Sequence, residues 1–190
     1  MSSPPRFAAP TIAIVALALL TAACGDDIGL PAAGIPNVVE DVALYALSGT
    51  PISAPSAFRL DGADKLVRTD RSAAFDFAFN FDALKRAVLL PTGAAGLGDG
   101  SGLQRTAVAF DSIKVAPTGG YVFDQPLVVD SGTVAIVRSR PINCLFGATV
   151  PLYAKLQVLA IDTTARRLDF KILVDENCGY RGLEPGIPKQ

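Results

Sequence analysis

Phe75-Asp76-Phe77-Ala78-Phe79-Asn80-Phe81-Asp82 decides the fold. Phenylalanine recurs at every second position across this stretch. A β-strand sends successive side chains to opposite faces, so a period of two collects four Phe on one face and leaves the other mostly polar. Such a stripe is expected as the core face of a half-buried strand rather than as a platform for a ligand. A hairpin with the same period follows near the C-terminus. Leu152, Ala154, Leu156, Val158 and Ala160 line one face of its first arm. Leu168, Phe170, Ile172 and Val174 line one face of the second, opposite Arg167, Asp169, Lys171 and Asp175, and Asp162 to Arg166 supply the turn.

Further β-rich runs cover 42–47, 86–90, 105–110, 121–123, 127–130 and 133–139, and Asn, Asp, Gly and Pro separate many of them. No stretch beyond residue 24 keeps a helical period over 11 residues. Many short strands with turn signals predict an all-β chain built as an antiparallel β-sandwich, with a β-barrel as the alternative. The uneven strand spacing favours the sandwich.

The N-terminus differs from the rest. Arg6 and the α-amino group give a positive start, Thr11 to Leu20 is apolar, and Thr21 to Ala23 are small. A spanning helix needs about 20 apolar residues; this run is shorter, with Pro10 at its front edge. It reads as the apolar helix of a signal peptide. The run Leu19-Leu20-Thr21-Ala22-Ala23-Cys24, followed by Gly25-Asp26-Asp27, resembles a bacterial lipoprotein signal.

That resemblance covers residues 1–27 and implies an address. Residues 1–23 would be a signal peptide, and Cys24 would become a lipidated first residue anchoring the chain to a membrane of the bacterial cell envelope. The domain would lie outside the cytoplasm, and nothing in the signal separates inner from outer membrane. Two acyl chains anchor stably where one does not. Residues 24–41 contain Pro31, Gly34 and Pro36 and are expected as a flexible tether. Residues 42–190 then form a single β domain, long enough to bury about two-thirds of its unfolded surface.

Charge excludes some partners. Without Arg6 the mature chain has 16 basic and 18 acidic side chains, a net of −2, which is no field for nucleic acid. An exported chain meets an oxidising compartment, so Cys144 and Cys178 are expected to pair. Strand 133–139 runs one way, 150–161 returns and 166–175 runs the first way again, which puts both cysteines at the same end of the domain. The bridge would gather Arg138, Arg140, Asn143, Asn177, Tyr180 and Arg181 around one cross-link. They are a candidate recognition surface for an anionic or polar partner; alternatively the Asn cap turns and the Arg stay solvated.

Other motifs lack a requirement of their chemistry. Gly93-Ala94-Ala95-Gly96-Leu97-Gly98-Asp99-Gly100 is followed by a strand-like run, whereas a phosphate loop needs a helix N-terminus. Asp61, Asp64 and Asp70 are oxygen donors at a spacing that matches no compact calcium loop. The chain contains no His, so the usual serine triad has no base and two thiols have no partners for zinc. No cofactor or metal site and no catalytic residue is assigned. Two function classes follow: a lipid-anchored β domain for binding, assembly or envelope structure, and an envelope hydrolase using a carboxylate pair. The first predicts a solid core and a flat or edge-strand contact surface, the second a cleft holding two acids.

Overall fold

The computed structural model describes Met1, residues 32–144 and residues 149–189. The signal segment and Cys24 lie outside the described residues. Among those described, no helix is long and apolar enough to cross a membrane.

Among the described residues, twelve strands form two five-stranded antiparallel sheets and one small hairpin. Sheet one runs β1 (Val39–Tyr45), β12 (Arg167–Asp175), β11 (Tyr153–Asp162), β8 (Val134–Arg138), β6 (Gly102–Thr106). Sheet two runs β3 (Leu66–Val67), β2 (Ala57–Phe58), β4 (Phe77–Phe81), β5 (Ala87–Pro91), β7 (Leu127–Val128). The hairpin pairs β9 (Ile142–Asn143) with β10 (Thr149–Val150). Neither large sheet closes on itself, so the fold is a sandwich and not a barrel.

The two inner faces share one core. Leu44, Val137, Ala154, Leu156, Leu168, Phe170 and Ile172 of sheet one meet Phe58, Phe77, Phe79, Ala87 and Leu89 of sheet two. Phe58 and Phe77 stack at 5.5 Å between ring centroids, and Phe170 meets both edge-on at 6.0 and 5.9 Å. Each ring contributes about 1.5–3 kcal/mol of burial, and each aromatic contact adds about 0.5–1.5 kcal/mol.

The Phe stripe is shorter than its sequence period. Phe77 and Phe79 are buried in the shared core and Phe81 packs against it. Phe75 precedes β4, its N–H turning back to the Ala73 carbonyl, and it packs with Ala57, Val67 and Ala78 in a separate cluster. The opposite face is not simply polar either, because Asp76 and Ala78 are both fully buried. The hairpin of β11 and β12 also departs from strict alternation. Leu159 is an extra residue between the pairs Val158–Phe170 and Ala160–Asp169. This bulge turns Ala160 to solvent and brings Ile161 against the core instead. The expected turn at 162–166 is held by the Asp162 carboxylate, which accepts the N–H groups of Thr164 and Ala165.

Two further segments differ from their sequence reading. The run 105–110 is divided between the end of β6 and a short 3₁₀ turn at Phe110–Ser112. That turn crosses the outer face of sheet one, where Phe110, Ile113, Ala116, Tyr121 and Leu183 cover Ile136, Tyr153 and Leu173. Residues 33–41, expected as the distal part of the tether, are tied down. Asn37 exchanges backbone hydrogen bonds with Gly186 at 2.8 and 3.0 Å, and β1 begins at Val39.

Replacing Phe77 by Ala removes the ring that joins Phe58 and Phe170. Chemical unfolding should register a loss of about 3–5 kcal/mol, whereas Leu84→Ala, at an exposed turn, should change stability by less than about 0.5 kcal/mol.

Candidate functional site

Three places in the sandwich concentrate chemistry: the bridged end, a guanidinium–carboxylate network, and the open side beside β1. Strands β8, β11 and β12 are consecutive neighbours in sheet one, so the segments after β8 and β12 emerge at the same end. Cys144 and Cys178 are bonded there, with Cα atoms 6.0 Å apart. Asn177 and Tyr180 beside the bridge point inward rather than to solvent. The Asn177 side-chain oxygen accepts the N–H groups of Gly34 and Ile35 at 2.9 and 3.0 Å, and its amide donates to Ile35 and Asp175. The Tyr180 hydroxyl accepts the Ala33 N–H at 3.1 Å.

The remaining residues of the expected recognition cluster are spread over separate contacts. Arg138 lies over the Phe123 ring at 5.6 Å. The Arg181 guanidinium donates to the Ala116 carbonyl at 3.0 Å. Asn143 is exposed and accepts from the Thr149 hydroxyl. Arg140 turns toward sheet two, where it joins the acids.

There the Arg140 guanidinium donates to Asp61 at 2.5 Å, and its backbone N–H donates to Asp76 at 2.9 Å. Arg59 grips Asp61 from the other side at 2.6 Å. The second Asp76 oxygen accepts the Leu60 N–H at 2.6 Å. Ser101, itself buried, donates its hydroxyl to the Asp76 carbonyl. Burial pushes Asp76 above the usual carboxylate range, against the Leu60 N–H and the Arg140 charge. Burial pushes on Asp61 too, but hydrogen bonds from Arg59 and Arg140 outweigh it and bring the group down to about 2. The two acids are thus set apart, as in an acid–base pair. Asp76, however, has no exposed surface and both its oxygens are engaged, so no substrate reaches it. Asp61, with Arg59 and Arg140, and Asp70, with Arg68, are held in ion pairs.

The glycine-rich stretch leads into strand β6, with Thr92 accepting the N–H groups of Gly100 and Ser101. At Gly93 a Cβ would lie 2.4 Å from the Phe123 carbonyl oxygen, so the loop packs where only glycine fits.

The open side of the sandwich holds a groove of about 930 Å³ between β1 and the segment 58–72. Lys65 spans it, bonded to Glu40 at 3.1 Å and to Glu176 at 2.8 Å. No sequence pattern marked this groove, because it arises from strands brought together from opposite sheets. Lys155 was also missed. Its ammonium is buried beneath the 3₁₀ turn, donating to the Phe110 and Ile113 carbonyls at 2.9 and 3.0 Å with the Phe110 ring 4.6 Å away. Burial lowers its pKa. Its position in β11, among apolar neighbours, was the available signal.

Comparison of the chain with models of known protein families and with curated proteins finds no match.

Two measurements follow from these contacts. Removing the bridge by Cys144→Ser with Cys178→Ser should lower stability by about 3–4 kcal/mol, read from denaturant midpoints against the oxidised protein. Arg140→Ala strips a cation from two carboxylates and should cost roughly 3–5 kcal/mol. The Asp61 contribution is present above the ordinary carboxylate pKa and is lost as pH falls from about 4 toward 2. An acid titration of unfolding should therefore be shallower in that window for Arg140→Ala than for the native chain.

Proposed function

We propose that this chain is a lipid-anchored protein of the bacterial cell envelope whose β-sandwich is a binding or assembly module, held to the membrane through Cys24. The observation that carries the binding half is the contrast between a filled core and an open flank. Both sheets bury one continuous apolar core, and of the two carboxylates joined by Arg140, Asp76 is fully buried with both oxygens engaged while Asp61 is held by two Arg. The flank beside β1, by contrast, offers a groove and a strand edge. Strand edges capture extended partners through main-chain hydrogen bonds.

The anchoring half rests on the lipoprotein-like signal. Nine Cα–Cα steps separate Cys24 from Ala33, whose N–H is bonded to the Tyr180 hydroxyl of the domain. At about 3.3 Å per residue they reach at most roughly 30 Å. The module would work close to its membrane, within reach of partners embedded there.

Intact-mass analysis of the protein extracted from membranes tests the anchor. The expected product begins at Cys24 and carries acyl chains, and Cys24→Ala should release the domain to the soluble fraction. An unmodified Cys24 would overturn the anchor. Crosslinking in intact cells, read by mass spectrometry, tests the module: recurrent cross-links to another envelope protein are expected, and cross-links confined to the chain itself would count against it.

A further inference from the structure

We propose that Pro36, Val38, Pro185 and Ile187 form an apolar seat that rests on the lipid bilayer and fixes which face of the anchored domain meets the membrane. The proposal rests on the anchoring half of the reading above. An antiparallel bridge builds the seat. Asn37 and Gly186 exchange both backbone hydrogen bonds, at 2.8 and 3.0 Å. Pro36 therefore lies opposite Ile187, and Val38 opposite Pro185. The Asn37 side chain is buried, its amide donating to the Gly182 and Glu184 carbonyls at 2.8 and 3.2 Å. Neighbours along an extended chain turn to the other face. All four apolar residues are accordingly exposed, Val38 by 57% and Ile187 by 53%.

The place where the chain enters the domain identifies the occupant. Ala33 is bonded to the domain three residues before Pro36. The nine steps from Cys24 to Ala33 reach at most roughly 30 Å, so an acylated Cys24 holds this end of the domain beside the bilayer at high effective concentration. Pro36 and Pro185 lack the N–H that a further strand would bond, which closes the seat to strand pairing by a second copy or another protein. The acids on the rim are each paired, Glu184 with Lys114 at 3.2 Å and Glu40 with Lys65 at 3.1 Å, which softens their repulsion of phosphate headgroups. Four partly exposed side chains are too few to recruit a free domain. Beside an acyl anchor they need only orient one already held.

The test uses the acylated protein in vesicles of phosphatidylethanolamine and phosphatidylglycerol that carry a nitroxide on their acyl chains. Lys189→Cys, labelled with a fluorophore, reports on the seat. Leu84→Cys reports on an exposed turn at the opposite end of the sandwich, beyond Phe81 and the Arg166 that covers it. The nitroxide should quench the label at 189 and spare the label at 84. Val38→Glu with Ile187→Glu places charge on the seat at two exposed positions, so the fold is kept. That variant should still float with the vesicles, held by its acyl chains, but lose the quenching at 189. Salt at about 1 M should leave the native quenching unchanged, because it screens charges and not apolar contact. Equal quenching at both labels, or quenching at 189 that survives the double substitution, would overturn the proposal. So would a label at 189 shielded from water yet unquenched, the sign that protein covers the seat. Intact mass of the same sample separates the two readings. An unmodified Cys24 overturns anchor and seat together, whereas an acylated Cys24 with equal quenching overturns the seat alone.

Discussion

Phe170 standing edge-on to the stacked pair of Phe58 and Phe77 is the contact on which the sandwich depends. An open antiparallel sheet has an apolar face that must be covered, and here the inner face of each sheet covers that of the other. The strand carrying Phe170 is flanked on both sides in sheet one, and the strand carrying Phe77 is flanked on both sides in sheet two. The three rings therefore join the middles of the two layers, and the edge strands add to a core already fixed. This arrangement explains why β2 and β3 can be two residues each. They are held by their side chains and by their neighbours more than by their own ladders.

Charged groups occupy the places where this apolar plan runs out. Asp76 sits where β4 and the segments after β2 and β8 converge, and the backbone N–H groups of Leu60 and Arg140 in those two segments end on its oxygens. Lys155 performs the converse task on the outer face, where its ammonium meets two carbonyls of the 3₁₀ segment. In each case a buried ion satisfies backbone groups that an irregular segment leaves without strand partners. Each fixes the path of a loop across a sheet, which hydrophobic contact alone specifies loosely.

Much of the fold was legible because strand periodicity survives in the sequence. The alternation at 77–81 and 168–174 places the correct faces inward, and the three-strand order that sets Cys144 beside Cys178 follows from chain direction alone. What failed was what needs a third dimension. The Leu159 bulge shifts the phase of β11 with no sequence mark, since any residue can be the extra one. Phe75 has the right period but lies beyond the strand end. Arg138, Arg140, Asn177, Tyr180 and Arg181 were near enough in sequence to suggest one surface. Their partners, Phe123, Asp61, Gly34, Ala33 and Ala116, are distant in sequence and decide where each side chain turns. The groove beside β1 belongs to neither sheet alone, so no local pattern could announce it.

The grip of Asn177 and Tyr180 on residues 33–35 sets the mechanical load path of the domain. A pull on the chain N-terminal to residue 33 does not first meet β1, which as an edge strand would peel one pair at a time. It meets the Asn177 loop, and Cys178 passes tension covalently to Cys144 and so to the segment that follows the interior strand β8. The cross-link thus shunts force past the weakest seam of sheet one. In the oxidised protein, stretching should be borne by several strands in parallel; in the reduced protein the same pull falls on a few hydrogen bonds and then on β1 alone.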